Sequence, residues 1–321
     1  INITGLDVRN NNLTVVDLSK NTKLTWLSIS ENQLTSLDIS SLTSLGTLYA
    51  GSNKITSINV SNNVLLKKLW LNINELISID ISLNTLLEEL QLDWNYGLSS
   101  IDFTNNLKLN RIHLWKTTIS TIDVTILTDL ERLYVSETNL PSIDLSKNTK
   151  LVDFRAGGSS ITSFDFSNNI ELQRIDVANC NLTNLDASNL TSLDTFYASG
   201  NQIANLDVSA NTKLRIFQAN DNSLINLDVS KNILLEELMV HNNSLERVNL
   251  KNGNNSLITK FNISGNINLT CITVDNIDFS NSNWTNKDAT ATYNLDCNSV
   301  WEVFTEDTTI SLRSLICLLI S

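Results

Sequence analysis

Positive charge is in short supply: 22 Lys and Arg face 34 Asp and Glu, for a net charge of −12 and a pI near 4.6. Nucleic acid is bound through clustered cations, so this balance argues against it and favours a soluble chain with a protein, glycan or cationic partner. Long apolar runs are missing as well. A membrane helix needs about 18 consecutive apolar residues, and the candidate from Ile310 to Ile320 is shorter. It is expected to be a cap strand, with an anchor cut short as the alternative. No initiator methionine opens the chain, so a mature or trimmed product is expected. No HExxH, GxSxG, P-loop or dinucleotide fingerprint occurs, and neither catalysis nor a cofactor or metal is expected. One proline and nine glycines are all that punctuate 321 residues.

What is abundant is a repeat. Leu24-Thr-Trp-Leu27-Ser-Ile29-Ser-Glu-Asn32-Gln-Leu34 reads LxxLxLxxNxL. Leu27 and Ile29 alternate with an outward Ser28, which is the period of a strand, and Asn32 marks a turn. The frame returns at Leu45, Leu66, Leu87, Leu109, Leu130, Leu151, Leu172, Leu193, Leu214 and Leu235, and more loosely at Ile3 and Ile258. That makes thirteen coils, nearly all 21 residues apart. A fixed period of this size predicts a solenoid whose coils bury their apolar faces only against one another. Leu24, Leu27, Ile29, Leu34, Leu37 and Ile39 are the expected inward set of one coil. Length alone would allow two domains, but the period favours one elongated body.

The motif resembles that of leucine-rich repeat proteins over roughly residues 1–274. More narrowly it is similar to the 21-residue bacterial class, in which the second half of a coil copies the first. Leu13-x-x-Val16-Asp17-Leu18-x-x-Asn21 and Leu76-x-x-Ile79-Asp80-Ile81-x-x-Asn84 show the copy. The resemblance implies a right-handed leucine-rich repeat superhelix of about 13 coils, with two short strands per coil, two parallel sheets and little or no α-helix. It also implies a secreted or surface-anchored bacterial protein.

Inside that frame each column has its own chemistry. Asn11, Asn32, Asn53, Asn74 and Asn95 recur at the turn, where a buried amide satisfies backbone groups of its own and the adjacent coil. The column changes to Thr117, Thr138, Ser159 and Cys180, then returns as Asn201, Asn222, Asn243 and Asn266. Cys180 is read as a buried structural thiol. In the second half, an acidic column from Asp17 and Asp38 to Asp228 runs beside a hydroxyl column from Ser19 and Ser40 to Ser230. Coils stack about 4.8 Å apart, so these carboxylates repel unless screened. Local capping of the turn is the expected role, with a calcium ladder or an ice-binding face as lesser alternatives.

The outward positions of the first strand, and the turn beyond it, are more varied. Trp26, Tyr49, Trp70, Trp94, His113, Trp115, Tyr134, Tyr197, Met239 and His241 fall there, as do Arg9, Arg111, Arg132, Arg155, Arg174 and Arg215. Exposed Trp, Tyr, Arg and Met are enriched at interface centres, because they bury much area and keep polar handles. Trp26, Tyr49, Trp70, Trp94 and Trp115 occupy successive coils, an expected aromatic track for a protein's apolar ridge or for sugar rings. Arg111, Arg132, Arg155 and Arg174 follow, with His113 and Tyr134 beside them, a zone suited to holding an anionic group bidentately. With Tyr197, these are the expected ligand-binding residues. The competing reading is that they shield the sheet, with arginines paired to Glu131, Asp153 and Asp176. A structural or adhesive spacer within a larger surface protein is the alternative function. His113 and His241 lie six coils apart, about 29 Å, and share no site.

After Leu250 the period loosens into one 23-residue coil. Cys271 and Cys297 close the repeats 26 residues apart, a disulfide signal; without clustered histidine they do not suggest zinc. The segment resembles the C-terminal cap of secreted leucine-rich repeat proteins of Bacteroidota-type bacteria. This resemblance implies a Cys271–Cys297 bridge, Trp284 over the last coil, and hence an oxidising compartment. Cys317 would then be unpaired. The expected organisation is a solenoid over 1–274, a cap over 275–303 and an apolar tail over 304–321, in a monomer outside the cell or on its surface.

Overall fold

The computed structural model describes residues 2–297; the apolar tail and Cys317 lie outside the described residues. Each coil opens with a three-residue strand whose central side chain points in and whose flanking side chains point out, as the pleat requires. Leu27, Leu48, Leu69 and Leu90 are fully buried central residues. Thirteen such strands, from Gly5–Asp7 through Trp26–Ser28 and Thr47–Tyr49 to Lys260–Asn262, form one parallel sheet. The register steps by one coil, with Trp26 opposite Thr47, Leu27 opposite Leu48 and Ser28 opposite Tyr49. Every outward column therefore runs along the length of the solenoid.

The second expected sheet is also present. It is parallel and four-stranded: Asn226–Asp228, Arg247–Asn249, Cys271–Thr273 and Thr292–Asn294. In the coils before Asn226 the second half carries no paired strand, so the strand pair expected of every coil is confined to this end. A coil-to-coil backbone bond survives where each second half starts, as from Gln33 N to Leu13 O (2.8 Å) and from Lys54 N to Leu34 O (2.8 Å). Further along, the amide turns to its own aspartate: Ser19 N donates to Asp17 Oδ1 and Ser40 N to Asp38 Oδ1, each at 2.9 Å. Hydrogen bonding from Ser40, side chain and amide together, holds the Asp38 carboxyl below the ordinary range. Local capping is thus what the acidic column does.

The six residues assigned to the interior of one coil, Leu24, Leu27, Ile29, Leu34, Leu37 and Ile39, are all buried. Two polar ladders thread between the coils. In the first, Asn32 Nδ2 donates to Val8 O of the preceding coil and to Ile29 O, both at 3.0 Å, while its Oδ1 accepts Leu13 N at 3.0 Å. Where Thr117 and Thr138 replace asparagine, the hydroxyl reaches only a carbonyl of its own coil, Leu114 O at 2.8 Å and Val135 O at 2.7 Å. Cys180 is buried and donates to Ala156 O at 3.2 Å, and burial pushes its thiol upward. The second ladder includes Asn63, Asn84, Asn106, Asn148, Asn169, Asn211 and Asn232, all fully buried. Asn84 Nδ2 donates to Val60 O (3.0 Å) and Asn63 O (2.9 Å), but its Oδ1 has no partner among the described residues.

The residue just before the first ladder takes a left-handed conformation in coil after coil: Asn10, Glu31, Ser52, Ile73 (φ 55°), Trp94 (φ 60°) and Lys116. This bends the chain out of the strand. For a β-branched or bulky side chain such as Ile73 or Trp94 it is strained.

At the far end, the Asn276 side chain accepts Phe279 N (3.0 Å) and caps a helix, Ile277–Asn283. Trp284 stacks on Phe261 with centroids 4.6 Å apart and donates its indole proton to Ile258 O at 3.1 Å. Cys271 and Cys297 are bonded. Thr292–Asn294 extends the second sheet from Cys271–Thr273, so the last coil and the segment after residue 274 share backbone pairing.

Candidate ligand-binding face

Two outward columns flank the buried central one on the first sheet. One runs Trp26, Thr47, Lys68, Glu89, Arg111, Arg132, Asp153, Arg174 and Thr195. The other runs Tyr49, Trp70, Gln91, His113, Tyr134, Arg155, Asp176 and Tyr197. Ten of the twelve expected ligand-binding residues, all but Trp94 and Trp115, are thus strand residues on one face.

The aromatic track is interrupted. Trp26 meets Tyr49 edge-on at 6.3 Å, and Tyr49 meets Trp70 at 4.3 Å. Trp94 and Trp115 contact each other at 5.3 Å, and Trp94 also touches Tyr96 at 6.1 Å. No ring contact joins Trp70 to Trp94 among the described residues. The reason is positional: Trp70 ends a strand, Lys68–Trp70, whereas Trp94 lies in the left-handed turn beyond its own strand, Glu89–Gln91. Five rings expected in one line are therefore two clusters. The second is tied to its surroundings by Lys116 Nζ, 3.9 Å over the Trp94 ring, and by a Trp115 Nε1 bond to Glu137 Oε1 at 3.1 Å. Trp115 still keeps 39% of its surface exposed.

The basic zone is held by a stack. Tyr134 lies in register between His113 and Arg155, so the two cover opposite faces of its ring, at 4.2 Å and 4.3 Å. Its hydroxyl donates to Asp153 Oδ2 at 2.7 Å, and Arg155 grips the same carboxylate bidentately at 3.0 and 2.8 Å. Arg155 therefore fits the shielding reading. Arg111 has Glu89 at 3.4 Å. Arg132 and Arg174 form no ion pair among the described residues, and neither Glu131 nor Asp176 pairs with an arginine there. Asp153 lies between them in the ladder but both its oxygens are turned to the other column.

These residues border a cavity of about 710 Å³ that also takes in Lys213, Asp194 and Arg215. Arg215 is committed to Glu236, at 2.9 and 2.8 Å, with Asp194 at 3.5 Å. Asp194 and Lys213 lie on the links beside Leu193 and Leu214, where no periodic chemistry marks them, and the sequence reading missed both. A smaller cavity of about 380 Å³ opens beside Trp115 over Gly157. A Cβ at Gly157 would stand 2.9 Å from Asp176 Oδ1, and burial pushes that carboxyl up. Among the described residues no group of acids, cysteines and histidines is placed to hold a metal, and no helix is long and apolar enough to cross a membrane.

No family model matches the chain, and no curated protein matches it. Solved structures do, and they define the class: the fold is that of leucine-rich repeat proteins. The internalin InlF from Listeria monocytogenes is 27% identical, covering 91% of this chain and 86% of its own, with a TM-score of 0.72. The functional domain of InlJ from the same organism, which includes a cysteine ladder, is 28% identical over 84% of this chain and 69% of its own, at a TM-score of 0.60. A plant peptide hormone receptor, RGFR1 in complex with RGF2, shares the fold at 20% identity, a TM-score of 0.62, 84% of this chain and 52% of its own.

Proposed function

We propose that the protein is a non-enzymatic recognition module, outside the cell or on a bacterial surface, that takes a protein or glycan ligand on the outward face of its first sheet. One observation carries this reading. In the coils up to Asp228 both halves bury apolar side chains and thread amide ladders, yet the second half repeats an acid and a hydroxyl outward while the first half varies what it shows to solvent. Packing does not ask for Trp26, Tyr49, Trp70, Trp115, Arg132 and Arg174 there, whereas recognition does. The Cys271–Cys297 bond supports an oxidising setting. The fold's presence in RGFR1 with a peptide hormone is in keeping with a protein ligand.

The test is capture on protein and glycan arrays by the wild type and by Trp70→Ala and Trp115→Ala, with urea unfolding run in parallel. Capture by the wild type, and its loss at unchanged unfolding midpoints, is the expected result. A wild type that captures nothing would leave a spacer solenoid; variants that melt the protein would make the rings structural.

A further inference from the structure

The basin bordered by Arg132 and Arg174 runs against the acidic balance of the chain. Five cations, Arg132, Arg155, Arg174, Lys213 and Arg215, face two carboxylates, Asp153 and Asp194, around its rim, in a protein with a net charge of −12. Arg132 stands directly opposite Arg111 in the ladder, an arrangement of like charges that costs stability. Asp153, the neighbour that could relieve Arg132 and Arg174, is already saturated by Arg155 and Tyr134. Both guanidinium groups thus border the cavity with no carboxylate at ion-pair distance among the described residues, and Arg174 feels only the longer-range attraction of Asp176.

Resting on the first-sheet face as the binding face, we infer that this basin receives an acidic peptide segment of a partner protein, held in polyproline II form with carboxylates three residues apart. Spacing is the first argument. Arg132 and Arg174 are two coils apart, about 9.6 Å at the usual strand separation. A polyproline II helix repeats its face every third residue, about 9.3 Å, whereas an extended strand returns same-side groups at about 6.6 or 13 Å. The second argument separates peptide from sugar. Sugar rings are gripped on open aromatic faces, and Tyr134, the aromatic ring of this basin, has one face under His113 and the other under Arg155. Guanidinium forks without a free ring suit carboxylates on a peptide.

Fluorescence anisotropy at low salt with three labelled probes tests this: a proline-rich peptide with glutamates at i and i+3, the same composition with glutamates at i and i+2, and a heparin oligosaccharide. The i,i+3 peptide is expected to bind tightest, to weaken with salt, and to lose on the order of tenfold in affinity with either Arg132→Gln or Arg174→Gln. Arg132→Lys keeps the charge and is expected to recover part of the loss. Equal binding of both peptides, tighter binding of the oligosaccharide, or indifference to both arginine variants overturns the inference. Array capture that depends on Trp70 while these peptides fail to bind would remove this inference alone; failure of both removes the recognition reading as well.

Discussion

Asn74 and Asn84 are buried amides of one coil, ten residues apart, and they are not equivalent. Asn74 donates to Ala50 O and Leu71 O at 3.0 Å and accepts Ile55 N at 2.9 Å. Asn84 donates twice, but its oxygen meets nothing among the described residues. The first half of the coil thus rests on a turn whose polar groups are matched at both ends of the amide. The second half rests on a ladder matched at one end, under an acidic column that satisfies itself locally. The half with the more completely specified turn is also the half whose outer residues vary. Rigid backbone beneath variable side chains is what a recognition surface needs, because a platform that does not move loses less entropy when a ligand docks.

That contrast can be broken most sharply at the ladders themselves. Asn74→Ala removes partners from a buried amide N–H and two carbonyls and is expected to cost about 3 kcal/mol, while Asn84→Ala, which also removes an orphaned oxygen, is expected to cost nearer 1 kcal/mol. Urea unfolding measures both, and equal losses would erase the distinction between the halves. A smaller effect of opposite sign is expected at the first-half turn. Ile73→Asn should raise stability by about 1 kcal/mol by calorimetry, because asparagine tolerates the left-handed conformation that a β-branched side chain resists. A loss there would mean that the Ile73 side chain contributes packing that outweighs the strain.

The smallest effect at neutral pH belongs to the second half. Hydrogen bonds from the residue two positions on lower the carboxyl pKa of Asp38, Asp80 and Asp123. A folded value below the unfolded one stabilises the protein fully above the unfolded value, near 4, and that stabilisation is lost as pH falls through the depressed folded value. Replacing the three with asparagine, which still caps but without the charge, is expected to lower the melting midpoint slightly at pH 7 and to flatten its fall below about pH 4. An acid limb as steep as the wild type's would assign the pH sensitivity elsewhere.

Much of this was readable in the residues. The 21-residue frame places Leu27 and Ile29 inside, and the column at Asn32 announces a turn amide, because stacked coils force every position into contact with its own equivalents. The left-handed turn was not readable: its occupants, Glu31, Ile73, Trp94 and Lys116 among them, share no residue type that would betray the backbone. Nor was the break in the aromatic track, since successive coils can offer a ring from the strand, as at Trp70, or from the turn, as at Trp94. Confinement of the second sheet to the last coils escaped too, because Leu224-x-x-Leu227-Asp228 and Leu76-x-x-Ile79-Asp80 obey the same pattern while only the former joins a ladder.

The sequence by itself determined the solenoid, its register and the inward set, because each coil is buried only by copies of itself and the period leaves one way to stack them. Which cations remain unpaired was decided in three dimensions. Arg155 reaches Asp153 and Arg132 does not, although Asp153 is in register with Arg132. A carboxylate in one column can lean across to the other, and that of Asp153 does so, where Arg155 and the Tyr134 hydroxyl both bond it.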